Sequence, residues 1–355
     1  MRIAVVGGGI NGLCSAWQLA ESGHSITLYE RARIMEATSR ASSKLLHGGL
    51  RYLENGEFRL VREALRERDA WIRRAPHLAW PIRLVLPIYR GAQRPSWMVA
   101  LGLFAYDRIA GRTDLPRATW LPAIQLIDRD PSLRSQDLIG GYEFSDAQMD
   151  DHALGLWVAE QARSAGVRIR EGVEVREVSV TGGVTVNGET LTYDRIINVA
   201  GPWAIELLEQ SGLRSPVHLE AIRGSHLMLA NPCAQPYLLE VPGERRIFFV
   251  LPWKGATLVG TTEVRQSLDK PIACTGAERA YLLAAYCHFF PNQRPVVTGS
   301  FAGLRPLIHS TNEPSRMTRE YMIWRQGNLV SIIGGKWTTA MALAGKVSRL
   351  IQRPD

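Results

Sequence analysis

Three glycines close to the N-terminus, Gly7, Gly9 and Gly12, form a G-x-G-x-x-G pattern that strongly constrains the fold. The pattern lies within a predicted strand–helix–strand unit that covers residues 2–6, 10–22 and 25–29. In such a unit the first glycine allows a tight turn, the second lets the backbone approach a pyrophosphate, and the third lets helix and strand pack closely. The N–H groups at the helix start attract the phosphates. The pattern predicts a Rossmann-like dinucleotide site and leaves FAD and NAD open.

Two further features bear on which dinucleotide is bound. Glu30 ends the second predicted strand, where an acidic side chain accepts hydrogen bonds from the ribose hydroxyls of the adenosine. Residues 38–49 are rich in hydroxyl groups and glycine, so this segment can approach a flavin and its phosphates closely. An NAD enzyme has no obvious need for a second segment of this kind, although an ordinary polar loop has the same composition. The segment therefore favours FAD.

The length and composition predict two domains. The chain has 355 residues, of which 46% are hydrophobic, which is enough for a sizeable core and too long for one typical domain. We predict an α/β fold with a Rossmann-like FAD-binding domain and a second, mainly antiparallel β-sheet domain for the substrate. The first domain is expected to be discontinuous, with residues 1–80, 146–215 and 298–355. Residues 81–145 and 216–297 are expected to form the substrate domain.

The charge and the cysteines limit the partners and the compartment. The net charge of +8 suits an anionic substrate or an anionic membrane face, and we expect no nucleic-acid partner. The four cysteines form no C-x-x-C motif and no signal peptide is recognisable, so we expect a cytoplasmic protein. The longest apolar region, residues 97–105, is too short to span a bilayer and is expected to lie in the core. It leaves open a peripheral contact with the inner face of the cytoplasmic membrane.

Residues 38–52, with the sequence TSRASSKLLHGGLRY, closely resemble the signature that follows the first βαβ unit in FAD-dependent glycerol-3-phosphate dehydrogenases. That family belongs to the D-amino-acid-oxidase-like flavoproteins. The resemblance continues in order along nearly the whole chain, at residues 57–65, 75–78, 201–203, 224–226, 260–262, 303–306, 318–321 and 334–339. The first segment is highly specific, whereas many flavoproteins share the glycine pattern.

The resemblance implies an enzyme that binds FAD and oxidises sn-glycerol 3-phosphate to dihydroxyacetone phosphate. Hydride from C2 would pass to flavin N5, and the electrons would then pass to a quinone or another acceptor. Two alternatives stay open at this point. One is an FAD-dependent oxidase or dehydrogenase of another 2-hydroxy acid or amine, and the other is a non-catalytic flavin-binding partner protein.

The resemblance also assigns residues to substrate binding and catalysis. The substrate-binding set is Arg51, Tyr52, Arg305, Arg319, Lys336 and Thr338. Arginine suits a phosphate because one guanidinium donates two hydrogen bonds to it. The catalytic set is His226, Arg305, Lys336 and Tyr52, in which His226 takes the proton of the C2 hydroxyl. Lys336, at the start of the last predicted helix, would stabilise negative charge at the N1–C2=O locus of the reduced flavin.

The predicted cofactor-binding set combines the glycine pattern with the family motifs. In the first fifth of the chain it comprises Gly7, Gly9, Ile10, Asn11, Gly12, Glu30, Arg31, Thr38, Ser39, Ser42, Ser43, Lys44, Leu46, His47, Gly48 and Gly49. Further along it comprises Val175, Ala200, Gly201, Trp203, Gly303, Arg305, Gly335, Lys336, Trp337 and Thr338. No metal ligand is predicted.

The sequence departs from the family at several positions. Ala200 stands where the longer enzymes usually have Thr, Glu263 where they commonly have Asp, and residues 339–341 read Thr-Ala-Met instead of Thr-Tyr-Arg. These changes could retune the substrate pocket and leave the flavin scaffold largely intact. Longer members continue with a helical domain that takes part in subunit contacts. The resemblance is therefore to a short form without that domain, and it carries over no oligomeric state.

Overall fold

A computed structural model describes residues 1–309 and 321–352. Its first sheet is parallel except at one edge, where β18 runs antiparallel to β19. In spatial order the strands are β18 (Tyr321–Gln326), β19 (Leu329–Gly334), β11 (Arg195–Asn198), β1 (Arg2–Val6), β2 (Ser25–Glu30) and β7 (Arg168–Glu171). The central strands are buried on both faces, as expected for a parallel sheet covered by helices.

Three helices pack together on this sheet, because α1 contacts both of the others. They are α1 (Ile10–Glu21), α5 (Asp151–Ser164) and α8 (Ala340–Gln352). The apolar positions of α1 face the core, which explains why its 3.6-residue period was readable from the sequence. The Asp150 side chain caps α5 by accepting a hydrogen bond from the Ala153 N–H. The helix α8 begins at Ala340, so Lys336, which was expected at the start of the last helix, lies in the loop before it.

The second large sheet is antiparallel except for the pair β13–β4, which confirms the predicted fold class. Its path is β16 (Val264–Arg265), β12 (Leu219–Leu229), β15 (Ala256–Gly260), β14 (Ile247–Trp253), β13 (Tyr237–Glu240), β4 (Ala79–Tyr89), β6 (Leu138–Met149) and β3 (Leu45–Leu46). Two further strands join it, β17 (Val297–Ile308) on β12 and β5 (Thr119–Pro122) on β6. Residues 298–308, expected in the cofactor domain, lie in β17, which pairs with β12 along its length and belongs to this sheet.

A small meander and the remaining helices complete the described fold. The strands β8 (Val175–Val178), β9 (Gly183–Val186) and β10 (Glu189–Thr192) are joined by turns that contain Gly-Gly and Asn-Gly pairs. The other helices are α2 (Phe58–Arg74), α3 (Ser96–Ala110), α4 (Ala123–Arg129), α6 (Ala204–Gln210) and α7 (Gly276–Phe289). Residue 275 starts α7 with a capping box to residue 278.

The apolar region around residue 100 forms one face of α3 and is not wholly in the core. Trp97, Leu101 and Phe104 are 66%, 60% and 58% exposed. These positions are four and three residues apart and share one helix face, whereas Val99 and Leu103 face inward. The expectation that this region is buried is therefore wrong for the helix face that carries these three exposed residues. Across residues 1–309 and 321–352, no helix is both long and apolar enough to cross a membrane.

Candidate active site

A cavity of about 490 Å³ opens at the carboxyl ends of the central parallel strands. Its wall includes Val6 and Gly7 at the end of β1, Glu30 at the end of β2, and Gly334 at the end of β19. The antiparallel sheet supplies the opposite wall, for example Leu238 on β13. Ligands of open α/β sheets bind at this end of the strands. We call this cavity the main cavity.

The glycine pattern fits its predicted role in the turn between β1 and α1. A Cβ atom on Gly12 would lie 1.9 Å from the Gly7 carbonyl oxygen, so only glycine lets the helix pack this closely. A Cβ on Gly7 would lie 2.5 Å from the Val199 carbonyl oxygen. The first turn of α1 contains no acidic side chain, and the Ile10 N–H at its start donates to the neutral Ser39 Oγ. The helix start is therefore compatible with a phosphate.

Two polar side chains mark where a dinucleotide would fit. Glu30 accepts hydrogen bonds from the Gly8 N–H at 2.7 Å and the Ala32 N–H at 3.0 Å, which fixes its carboxylate at the cavity wall. Asn11 also lines the cavity, and its buried Oδ1 has no hydrogen-bond partner in the described chain. A buried polar atom without a partner is costly, and a ligand donor would satisfy it. Farther along the wall, the Arg31 guanidinium lies 4.1 Å from the Trp203 ring centroid.

The hydroxyl-rich segment of residues 38–49 is fixed by contacts with several elements. Thr38 Oγ1 donates to the Leu304 carbonyl oxygen of β17 at 2.7 Å, and Ser39 Oγ accepts from the Ile10 N–H at 3.0 Å. Ser42 Oγ donates to Asp151 Oδ2 at 2.7 Å. The segment therefore joins α1, α5 and β17 around the main cavity.

Four predicted cofactor residues do not line the main cavity. The Lys44 ammonium lies 2.7 Å from Asp151 Oδ1 in a buried ion pair and donates to the Arg40 carbonyl oxygen at 2.7 Å. Burial raises the pKa of Asp151, although the Lys44 charge opposes this. Lys44 thus anchors the segment and does not face a ligand. The other three residues outside the lining are Gly12, Leu46 and Gly48. All remaining predicted cofactor residues line the main cavity.

One end of the main cavity carries a cluster of charges. Glu263, with a side chain that is 7% exposed, lies 3.8 Å from Arg51 and 3.7 Å from Arg305. Its other oxygen lies 3.5 Å from Arg246 Nε. A Cβ on Gly224 would lie 2.2 Å from Arg305 Nη2, so this glycine makes room for the guanidinium. Arg305 Nη2 also donates to Thr261 Oγ1 at 2.6 Å. The pocket is cationic, with one carboxylate that orients two arginines.

Lys336 and His47 lie close together on the wall of the same cavity. Lys336 Nζ donates to the His47 carbonyl oxygen at 2.6 Å and lies 5.0 Å from the Tyr52 ring centroid. The His47 N–H donates to Thr338 Oγ1 at 3.4 Å. All four residues line the main cavity, and the His47 ring lies 6.2 Å from the ring of Phe249, which also lines it. The structure therefore brings the predicted residues Tyr52, Lys336 and Thr338 together with His47.

His226, the predicted base, lies behind the cavity wall. It is 1% exposed and does not line the main cavity. Its ring stacks on Phe301 at 4.8 Å between centroids, and its Nε2 lies 2.9 Å from the hydroxyl of Ser43, which does line the cavity. Burial, helped by the nearby charges of Arg305 and Lys44, lowers the pKa of His226 well below its usual value. His226 therefore does not face the main cavity directly and contacts its wall through the Ser43 hydroxyl.

The family model DAO, FAD dependent oxidoreductase, matches residues 2–349. The chain belongs to this family. It is an FAD-dependent oxidoreductase, as the glycine pattern and residues 38–49 predicted. The residues around the main cavity fit FAD, because the start of α1 suits a pyrophosphate and Glu30 and Asn11 offer acceptors.

Three known proteins illustrate what this DAO-family chain is similar to. A glycerol-3-phosphate dehydrogenase of Pseudomonas aeruginosa is 36% identical, over 96% of this chain and 70% of the relative. A D-erythritol 1-phosphate dehydrogenase of Brucella abortus is also 36% identical, over 96% and 71%. The structure of a Bacillus halodurans glycerol-3-phosphate dehydrogenase complexed with FAD has a TM-score of 0.79 and 26% identity, over 99% of this chain and 64% of that chain. The resemblance stated from the sequence is confirmed.

We predict that this DAO-family protein holds FAD tightly and without a covalent bond. The prediction rests on the glycine turn, Glu30 and residues 38–49, which bind through hydrogen bonds and helix charge. Acid precipitation of the yellow protein is expected to release all of its colour into the supernatant. Colour that stays in the washed pellet would contradict the prediction, as would purified protein that binds NAD and no flavin.

One predicted residue lies outside the described part of the chain, and two features of the cavity were not predicted. Arg319 lies outside the described residues. Sequence reasoning noted Glu263 only as a departure from the family, although it lies between two predicted arginines. It also missed the apolar wall formed by Leu84, Phe144, Leu238, Ile247 and Phe249. Alternating apolar residues on these strands were visible, but nothing local showed which face covers a ligand.

Proposed function

We propose that this protein oxidises sn-glycerol 3-phosphate to dihydroxyacetone phosphate with bound FAD. One observation carries the proposal: Arg51, Arg305, Lys336 and His47 all line the main cavity. Cations that suit a phosphate would then share one cavity with a group that can accept a proton. The name of the Pseudomonas aeruginosa relative supports the same reaction. Electrons would leave to a quinone or another acceptor.

The arginines would hold the substrate by its phosphate. Arg51 and Arg305 both lie within 4 Å of Glu263, which orients their guanidinium groups for hydrogen bonds to phosphate oxygens. One carboxylate among several cations also limits the net charge, so the pocket attracts a dianion without binding every anion equally well. A neutral amine or alcohol gains nothing from this cluster, which disfavours the alternative of an amine substrate.

The chemistry then needs a proton acceptor and a stabilising charge. Bound FAD supplies a ring that accepts a hydride from the carbinol carbon. We assign the C2 hydroxyl proton to an imidazole nitrogen of His47, because His47 lines the cavity and His226 does not. Lys336, fixed by the His47 carbonyl oxygen, stabilises negative charge that develops beside the substrate oxygen. His226 is a positioning residue that holds the Ser43 hydroxyl.

A longer polyol phosphate is a second candidate substrate. The Brucella abortus relative, named D-erythritol 1-phosphate dehydrogenase, has the same 36% identity as the Pseudomonas aeruginosa relative. Both substrates combine a phosphate with a neighbouring secondary alcohol, so the same cluster of cations suits either. Comparing kcat/KM for the two polyol phosphates on the purified holoprotein separates the candidates.

Replacing Arg305 by Ala is expected to lower kcat/KM for glycerol 3-phosphate by about 10- to 150-fold. The loss corresponds to charge-assisted hydrogen bonds of roughly 1.5–3 kcal/mol. Unphosphorylated glycerol should lose much less, because it has no phosphate to hold. Glu263 keeps two other partners, Arg51 and Arg246, which limits the structural damage that the substitution causes. Anaerobic flavin reduction by each substrate gives both rates.

The matched control for Arg305 is the Arg279→Ala variant, which removes an exposed arginine of α7. It should leave both rates unchanged. Equal losses on glycerol 3-phosphate and glycerol, in an Arg305→Ala protein that keeps its full FAD content, would refute the phosphate assignment. The same series is expected to give a parallel loss for Arg51→Ala.

We also propose peripheral membrane contact through the exposed face of α3. The support is the exposure of Trp97, Leu101 and Phe104 together with the net charge of +8. Binding to vesicles that contain an anionic lipid should weaken with added salt, because the Debye length falls. In a flotation assay, Leu101→Glu should lower recovery with the vesicles, whereas Ile124→Glu, which replaces an exposed residue of α4, should not. Equal recovery of all three proteins would exclude this surface.

A further inference from the structure

A second cavity, of about 350 Å³, lies between α2, α3 and the chain that leads from α3 to β5. We call it the arginine cavity. Its charged lining residues are Arg68, Arg73, Asp107, Arg112, Asp114 and Arg117. Four arginines and two aspartates give the lining a net positive charge. The proposed reaction uses none of these residues.

Arg68 forms the buried part of the arginine cavity and has one NH2 group to spare. The residue is 2% exposed. Its Nε donates to Asp69 Oδ1 at 2.8 Å, and its Nη1 donates to the Ser145 carbonyl oxygen at 3.1 Å and to Asp146 Oδ1 at 3.2 Å. Within residues 1–309 and 321–352, Nη2 makes no hydrogen bond. A guanidinium held in place on two sides, with a third side facing a cavity, is prepared for an acceptor.

The rim of the cavity adds charge that no described carboxylate neutralises. Arg73, Arg112 and Arg117 are exposed, and none of them makes an ion pair with the described part of the chain. Of the two aspartates, Asp107 already accepts a hydrogen bond from the Ala118 N–H at 2.8 Å. Arginine is preferred for phosphate because its planar group donates in a fixed fork. The combination of a buried donor and three rim guanidinium groups favours a phosphate over a neutral ligand.

The cavity wall is built and held in place by hydrogen bonds to the antiparallel sheet. Arg83 Nη1 donates to the Pro116 carbonyl oxygen at 2.9 Å and to Ser145 Oγ at 2.7 Å. Ser145 Oγ in turn donates to the Pro116 carbonyl oxygen at 2.6 Å. These contacts fix the segment that carries Arg112 and Arg117 against β6. The wall is therefore formed before any ligand binds, which lowers the entropic cost of binding.

We propose that the arginine cavity is a second anion site, which binds the phosphate group of a ligand other than the substrate. It is separate from the main cavity. Tyr106 lines the arginine cavity, whereas Asp146 lines the main cavity. Tyr106 Oη donates to Asp146 Oδ1 at 2.8 Å and accepts from the Gly48 N–H at 2.8 Å, so these groups form the wall between the cavities. The ligand is a phosphate monoester, a free phosphate or the headgroup of an anionic lipid.

The test measures binding of inorganic phosphate to the FAD-loaded protein by titration calorimetry. The Arg305→Ala background should weaken phosphate binding in the main cavity by about 10- to 150-fold, as expected above for the substrate. In that background, the double variant Arg112→Ala with Arg117→Ala should bind phosphate at least about 10-fold more weakly, since charge-assisted hydrogen bonds are lost. Arg279→Ala, an exposed arginine elsewhere, should have no effect. Arg68 is left intact, because its removal would leave Asp69 and Asp146 unpaired in the core.

A second arm distinguishes a free phosphate from a lipid headgroup. The same variants are floated with vesicles of phosphatidylglycerol and with vesicles of phosphatidylcholine. Loss of binding to phosphatidylglycerol alone, without calorimetric phosphate binding in the parent, assigns the site to a lipid headgroup. Calorimetric binding that depends on Arg112 and Arg117 assigns it to a free phosphate or monoester. If neither ligand responds to the double variant, the proposal is wrong, whatever the outcome for the main cavity.

Discussion

Replacing His47 by Asn is expected to lower the rate of flavin reduction by about 100- to 10,000-fold, the usual contribution of a positioned general base. His47 lies on the wall of the main cavity, beside Lys336 and Phe249. Asn keeps a side chain of similar polarity and cannot take up a proton, so FAD content and phosphate binding should remain. The decline should therefore appear in kcat, with KM changed much less. Rapid mixing under anaerobic conditions follows the loss of the oxidised flavin absorbance.

The comparison with His226 makes this experiment decisive. A His226→Asn variant should lose stability and FAD content, because the ring fills the space between Phe301 and Gly260. The fraction of this variant that retains FAD should reduce its flavin at a rate within about 10-fold of the parent rate, since His226 acts only through Ser43. Added imidazole should partly restore a His47→Ala variant and should not restore a His226→Ala variant. The reverse order of kcat losses, at full FAD content, would return the base to His226.

Replacing Gly12 by Ala is expected to remove FAD from the protein. The added Cβ would lie 1.9 Å from the Gly7 carbonyl oxygen, and a backbone atom in the turn between β1 and α1 cannot move aside without changing that turn. Overpacking of this kind costs about 3 kcal/mol or more when no flexible side chain can yield. That corresponds to roughly 150-fold weaker FAD binding or more. Absorbance of the purified protein, before and after incubation with excess FAD, measures the occupancy.

The control for Gly12 is Gly276→Ala at the start of α7, where a Cβ would meet nothing within 4 Å. It should keep its flavin and show an unchanged or slightly higher melting temperature, because alanine favours the helix. A Gly12→Ala protein that is purified yellow, with the FAD content of the control, would show that the turn adapts. The geometric reading of the glycine pattern would then be wrong.

Features encoded by short stretches of sequence were predictable. The helix α1 and the strands on either side of it followed from the apolar pattern of residues 2–29. Glu30 and the glycines were placed correctly because their roles depend on the single turn between β1 and α1. The family motifs likewise placed Arg51 and Arg305 in one pocket, although they are far apart in the sequence.

Features that depend on pairing between distant strands were not predictable. The direction in which His226 points depends on the register of β12 between β15 and β17, and neighbouring residues on a strand face opposite sides. Lys44 looked like part of a polar ligand loop, but its partner Asp151 is distant in the chain. The apolar residues of α3 suggested burial, since hydrophobicity alone does not reveal which helix face lacks a partner.

The position of β1 in the middle of the first sheet has a consequence for synthesis on the ribosome. One neighbour, β2, is made almost at once, but the other, β11, spans residues 195–198 and itself pairs with β19 at residues 329–334. Lys336, on the cavity wall, is made later still. A nascent chain therefore carries its glycine turn long before it can enclose a flavin. Capture of FAD is a late event of biogenesis, and until then the exposed edge of β1 has to be protected from pairing with other chains.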